Sequence, residues 1–255
     1  FLFINFIYLM STENSTKKFL IAFDFDETII DQDSEEELLK NTFSKEENNI
    51  INRELMYKGF FEGFNYYFKK MKQNGITLKE LNSNLEKIKL SPGMKELFDY
   101  LRQNKSKYEI IICSNTLDYE IKHVLKYNGF LDLFDDFICT KAIIPKDNSE
   151  GLLFVPSNQF HHSCNICTPN QCKGFELKKY LENNKNKFEK VLFVCDGSND
   201  YCPSKNTLKK GDIVFPRSDH RLYNKLFKEK LRDKLVCEVF PWKNAEEIIS
   251  KIKQL

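Results

Sequence analysis

Apolar positions along this chain follow two rhythms. Near-continuous apolar runs occur in "FLIAF" (19–23), "YEIIICS" (108–114), "DDFICTK" (135–141), "KVLFVCD" (190–196) and "DIVFPR" (212–217). Runs of this length without polar alternation predict strands buried on both faces. Between several of them lie stretches such as "GMKELFDYLRQN" (93–104) and "GFELKKYLENN" (174–184), whose apolar residues recur at helical spacing. Strands alternating with helices predict an α/β fold, a parallel sheet with helices on both faces.

One interval breaks the alternation. Between the first run and "LSPG" (90–93), the stretches "EEELLKNTF" (35–43), "YKGFFEGFNYYFKKMKQ" (57–73) and "LKELNSNLEKI" (78–88) all carry helical spacing. A helical insertion directly after the first strand predicts a small cap over that strand's end. The aromatic stripe Phe60, Phe61, Phe64, Tyr67 and Phe68 reads as the cap's own core rather than as a substrate box. The expected organisation is an N-terminal extension (1–16), a sheet-bearing core (17–31 and 91–255) and a helical cap (32–90).

In parallel sheets the functional crevice lies beyond the carboxyl ends of the strands. Three predicted strands end there in Asp24, Ser114 and Asp196. The first runs on to Asp26, so two carboxylates stand one residue apart, an unfavourable pairing unless a positive group sits between them. A carboxylate can attack phosphorus and form an aspartyl-phosphate, dividing hydrolysis into two easier displacements. Asp24 is the expected nucleophile and Asp26 the expected general acid and base. Mg2+ takes a few carboxylate or carbonyl oxygens together with water and phosphate oxygens. Its expected ligands are Asp24, the Asp26 backbone carbonyl and Asp196. Asp200, in "CDGSND" (195–200), is placed to hold a metal-bound water. Ser114 is expected to donate to a phosphoryl oxygen, and Lys173 to supply positive charge as the transition state forms.

Composition adds exclusions. A net charge of +2 over 255 residues leaves no large basic surface, so nucleic acid is not an expected partner. The apolar start "FLFINFIYLM" (1–10) is about half of the roughly twenty residues a spanning helix needs. It lacks the basic region and cleavage site of a signal peptide and reads as an extension before Met10. No membrane partner is expected, and the eight cysteines are expected to be reduced thiols of a cytoplasmic protein. Cys113 and Cys195 close apolar runs, where a thiol serves as a small hydrophobe. Four ligand-capable residues crowd into "HHSCNICTPNQCKG" (161–174): His162, Cys164, Cys167 and Cys172. Their spacing suits a structural Zn2+; the other reading is a loop of thiols packed beside Lys173. No sequence feature speaks to oligomeric state.

Taken in order, "DFDET" (24–28), the serine after an apolar strand, Lys173 and "DGSND" (196–200) resemble the four motifs of the haloacid dehalogenase superfamily of phosphatases. The resemblance is closer to the family of phosphoethanolamine/phosphocholine phosphatases and pyridoxal phosphate phosphatases. It rests on "FDFDETIID" (23–31), "LSPGM" (90–94), "HSCNICTPNQCK" (162–173), "CDGSNDYCP" (195–203), "DIVFPR" and "VFPW" (239–242), and runs from Phe19 to about Trp242. It implies a Mg-dependent Rossmann-like core with a helical cap. The implied partner is a small phosphorylated metabolite, with pyridoxal phosphate, phosphoethanolamine and phosphocholine as candidates. Implied substrate contacts are Glu35 and Asn115.

Where that family carries Ser-Asp-x-Asn, this chain reads Ser114-Asn115-Thr116-Leu117 and has one charge fewer. A cationic head group is then expected to be poorly compensated, and a neutral or larger phosphomonoester such as pyridoxal phosphate preferred. Two rivals stay open: a phosphotransferase or pyrophosphatase on the same scaffold, and a zinc-stabilised binding protein without turnover. Intact Asp24, Asp26, Lys173 and Asp196 stand against the second.

Overall fold

A computed structural model of the chain describes residues 18–147, 151–157 and 162–255, with the backbone alone at 54–58. The expected N-terminal extension lies outside the described residues. The five apolar runs form strands: β1 (Lys18–Phe23), β2 (Tyr108–Leu117), β3 (Asp136–Thr140), β4 (Phe188–Cys195) and β5 (Ile213–Pro216). A short sixth strand, β6 (Glu238–Val239), adds to the five that the sequence predicts. They pair in the order β3-β2-β1-β4-β5-β6, every pairing parallel.

The two-residue period explains the unbroken apolar runs. Ile21, Phe23, Ile110, Ile112, Leu192 and Val194 enter the core on one side of the sheet. Leu20, Ala22, Ile111, Cys113, Phe193 and Cys195 enter the core on the other. Neither face meets water, so neither can be polar. Each fully buried Leu, Ile or Phe in these strands is worth about 1.5–3 kcal/mol in apolar transfer.

Four helices follow β1: α1 (Ser34–Thr42), α2 (Lys45–Lys58), α3 (Phe60–Gln73) and α4 (Leu78–Leu85). Each start has a local cause. The Asp33 side chain accepts the Glu36 N–H at the head of α1. Capping boxes open α2 (Ser44 and Glu47) and α4 (Thr77 and Glu80). The helical stretch expected over 57–73 is broken at Gly59, whose φ of 86° only glycine adopts readily, so that α2 ends at Lys58 and α3 begins at Phe60. Phe64, Tyr67, Phe68 and Met71 are buried along one face of α3, as the aromatic spacing predicts.

A contact the sequence reading lacked joins α3 to a distant stretch. Asn65 donates from Nδ2 to the Val155 carbonyl (3.2 Å) and accepts the Val155 N–H at Oδ1 (2.9 Å). Residues 151–155, expected within the core, therefore pack on α3. Further helices cover the sheet. α5 (Met94–Gln103), α6 (Asp118–Tyr127) and α10 (Glu246–Ile252) bring Leu97, Phe98, Val124 and Ile248 to one side. α7 (Lys173–Asn183), α8 (Tyr201–Asn206) and α9 (Arg221–Phe227) bring Leu177, Tyr201 and Leu222 to the other. Among the described residues no helix is long and apolar enough to cross a membrane.

Candidate active site

Chain order reverses between β1 and β4, and the crevice at such a switch point opens beyond the strands' carboxyl ends. Asp24 stands there directly after β1. Its N–H still pairs with the Val194 carbonyl (2.9 Å), so the sheet fixes its backbone. The side chain is buried, with Oδ1 accepting the Phe25 N–H (2.7 Å) and Oδ2 accepting from Lys173 Nζ (2.6 Å). Lys173 is the first residue of α7 and only 1% exposed, and it also donates to Asp200 Oδ1 (2.8 Å). Asp200 closes its own turn by accepting the Gly197 N–H at Oδ2 (2.8 Å). Asp196, at the end of β4, accepts from Thr28 Oγ1 (3.1 Å).

Carboxylate oxygens of Asp24, Asp196 and Asp200 lie within 4.8 Å of one another, all buried. Lys173 contacts two of the three, Asp24 and Asp200, while His220 Nδ1 lies 3.8 Å from Asp196 Oδ2. Burial opposes the Lys173 charge, but Asp200 and Asp24 more than offset it and hold the ammonium well above its usual range. Burial first, and the Asp24 charge after it, lift Asp196 and Asp200 above the usual carboxylate range. That balance favours a further cation, and the all-oxygen donor set fits Mg2+.

Asp24 and Asp26 do not share one partner. β1 stops at Phe23, the chain turns, and Asp26 points to the head of α1. There its Oδ1 accepts the Ser34 N–H (2.9 Å) and its Oδ2 accepts from Thr116 Oγ1. Burial, with Asp33 adding to it, pushes Asp26 up to about 7. Ser114 is buried on β2, its Oγ 3.2 Å from Thr116 Oγ1. Asp24, Asp26, Ser114, Lys173 and Asp196 all line one cavity of about 220 Å3. Glu35 and Glu120 line it as well, and so do Phe60 and Phe64, two of the aromatic residues expected to serve only the core of the helical insertion.

Asn115 lines the cavity but is committed elsewhere. Its Nδ2 faces Thr168 Oγ1 (2.7 Å), Asn170 Oδ1 (3.1 Å) and the Gln171 carbonyl (3.3 Å). Its Oδ1 accepts from Asn199 Nδ2 (2.7 Å). A carboxylate could not donate to that carbonyl, so the neutral amide is what this knot requires. Sequence reasoning missed Glu120, which is 2% exposed on α6 with its Oε2 3.4 Å from Ser34 Oγ. Burial, then Asp26 and Glu35, raise it well above the usual range. Burial, then Asp33, Asp26 and Glu36, push Glu35 up to about 8. Nothing in "LDYE" (117–120) distinguishes an inward glutamate from the outward ones of other helices. Thr28 and Thr116 were equally silent.

The expected zinc ligands need one correction. His162 turns away: its Nδ1 accepts the Cys164 N–H (3.1 Å), which leaves Nε2–H to donate to the Thr168 carbonyl (2.9 Å). Cys202, from α8, takes its place beside Cys164, Cys167 and Cys172. No signal in the 161–174 block points to a partner thirty residues downstream of Cys172.

Comparison with known proteins agrees with this geometry. Residues 19–255 match the family model described as "Putative Phosphatase". Over 243 residues the chain is 32% identical to pyridoxal phosphate phosphatase of Homo sapiens, spanning 93% of this chain and 98% of that one. Over 248 residues it is 30% identical to phosphoethanolamine/phosphocholine phosphatase of Gallus gallus, spanning 93% and 89%. A phosphoserine phosphohydrolase-like protein from Francisella tularensis shares the fold, with a TM-score of 0.57 at 19% identity over 93% of this chain and 100% of that one. So does a phospho-aspartyl intermediate analogue of phosphoserine phosphatase, with a TM-score of 0.56 at 18% identity over 92% and 99%. With residues 19–255 matched by that model and the relatives aligned over nearly their whole length, the chain belongs to the Putative Phosphatase family.

Proposed function

We propose that the protein hydrolyses small phosphomonoesters in two displacements at Asp24. The observation that carries this reading is the Lys173 ammonium bridging Asp24 (2.6 Å) and the fully buried Asp200 (2.8 Å), with Lys173, Asp24 and Asp26 lining one cavity. A buried carboxylate beside a fixed positive charge can attack phosphorus while that charge meets the transition state. In the first displacement an Asp24 oxygen bonds to phosphorus and the ester oxygen leaves, taking the Asp26 proton. In the second, water attacks phosphorus, the Asp24 bond breaks, and the water proton returns to Asp26. A carboxyl held near 7 suits both halves. Ser114 orients a phosphoryl oxygen. Asp24, Asp196 and the Asp26 backbone carbonyl would hold Mg2+, with Asp200 behind them. When bound, the ion neutralises charge on the phosphoryl oxygens.

Helices α1–α4 form the cap of this reading, with Phe60 and Phe64 as its apolar wall over the cavity. The expectation of a neutral head group relied on residue 115 facing the substrate. Its amide is committed to Thr168, Gln171 and Asn199, whereas Glu120 adds a carboxyl beside Glu35. An ammonium lodged beside these two carboxyls would favour their charged forms, so we read the pocket as suited to an ammonium-bearing head group, the class named for the Gallus gallus relative.

Phosphate release from phosphocholine, phosphoethanolamine and pyridoxal phosphate tests the reading in wild type and Asp24→Asn. Release by wild type and loss of about a thousandfold or more in a folded Asp24→Asn are expected. Undiminished turnover in that variant removes Asp24 as nucleophile.

A further inference from the structure

The cysteines left out of this chemistry form a site of their own. Sulfur atoms of Cys164, Cys167, Cys172 and Cys202 all lie within 4.8 Å of one another. Cys202 Sγ is 3.7 Å from Cys164 Sγ and 3.8 Å from Cys172 Sγ. Four sulfurs placed about 2.3 Å from a central zinc sit about 3.8 Å apart along each tetrahedral edge. A disulfide needs about 2.0 Å, and all four cysteines are free.

Three of the four sulfurs meet N–H donors, and the fourth, Cys167, faces the Asn199 carbonyl at 3.9 Å. The Ile166 N–H points at Cys164 Sγ (3.4 Å), the Phe175 N–H at Cys172 Sγ (3.4 Å) and Asn206 Nδ2 at Cys202 Sγ (3.5 Å). Cys172 is the N-cap of α7, where the helix dipole favours negative charge. Gly174 leaves the room: a Cβ there would lie 2.7 Å from Cys202 Sγ. None of the four lines the catalytic cavity, and four protein ligands leave no open coordination position.

We propose that Cys164, Cys167, Cys172 and Cys202 bind one structural Zn2+ as a tetrathiolate, which fastens the start of α7 to α8. Four thiols release their protons to solvent as the ion binds, and no electrons move. The consequence reaches the active site through the backbone. Cys172 is the residue before Lys173, and Cys202 is two residues after Asp200, so the ion sits behind the Lys173–Asp200 pair and fixes the 2.8 Å between them. His162 has no part in the coordination.

The test uses the full chain expressed with zinc in the medium. Zinc is measured by elemental analysis, and Co2+ replacement is followed by visible and near-ultraviolet absorption. Wild type and His162→Ala are expected to carry about one equivalent of zinc. With cobalt both should give the intense bands of a tetrahedral thiolate site and sulfur-to-metal charge transfer. Cys202→Ser is expected to lose zinc at least tenfold. Cys164→Ser, at a half-exposed position, gives a second reading should Cys202→Ser fold poorly: weaker charge transfer and faster loss of zinc to chelator. Cys237→Ser, outside the cluster, should change nothing. Metal-free folded wild type, a disulfide among the four, or loss of zinc in His162→Ala with retention in Cys202→Ser each overturns the proposal. These readouts need no substrate and stand apart from the phosphatase assay.

Discussion

At the scale of single residues the site separates carboxyls by environment. Asp26 is pushed up to about 7 by burial and Asp33, against 3.8 for an ordinary aspartate. The folded state therefore holds a proton on Asp26 that the unfolded chain has lost between those values, and stability falls as pH rises through that window. Asp26→Asn keeps an acceptor for the Ser34 N–H and removes the charge. It should raise the melting temperature at pH 8 and leave it unchanged below about pH 4, while slowing turnover on the order of a hundredfold or more. Melting curves that differ equally at both pH values would reject the buried-acid account. Glu120 gives a second test at this scale. Glu120→Gln should lower kcat/KM for phosphocholine about tenfold, or 1.4 kcal/mol, and change pyridoxal phosphate much less. An equal loss for both substrates would assign Glu120 to structure rather than to head-group choice.

At the scale of elements, strand positions were legible because burial on both sheet faces writes an unmistakable apolar run, as in "FLIAF" and "KVLFVCD". The two-residue β6 and the break at Gly59 were not, since neither leaves a periodic pattern. Asp24, Lys173, Asp196 and Asp200 could be found because each sits at a strand end or a helix start, where position alone restricts direction. Glu120 and Cys202 could not, because what draws them inward is packing between elements far apart in sequence. The α7–α8 junction exposes that dependence. Gly174→Ala places a Cβ 2.7 Å from Cys202 Sγ and 3.3 Å from the Cys202 and Pro203 backbone, which cannot yield as a side chain end would. Overpacking of this kind costs about 1–3 kcal/mol. Thermal denaturation should show that loss, and kcat should fall with it because Lys173 shifts relative to Asp200. Wild-type stability and turnover in Gly174→Ala would mean that the junction is loose.

At the scale of the whole molecule, the sheet gathers chain segments more than a hundred residues apart and leaves their like charges buried together. Asp24 follows β1, Asp196 follows β4, and Asp200 lies one turn beyond, with Lys173 as the cation shared by Asp24 and Asp200. Burial and the Asp24 charge raise Asp196 against the opposing His220 contact, so its carboxylate on balance weakens the fold above its ordinary range. A divalent cation at these oxygens should reverse that sign. Binding to the folded state alone stabilises by about 2.7 kcal/mol when the ion stands at a hundred times its dissociation constant, roughly 5–10 °C for a chain of this size. Asp196→Asn keeps an acceptor for Thr28 Oγ1 and removes both the repulsion and the ligand charge. The variant should melt above wild type in excess chelator and below it in excess Mg2+, with wild type rising steadily as Mg2+ increases. The two melting curves must cross. Curves that run parallel across the Mg2+ titration would show that the ion, wherever it binds, is not held by Asp196.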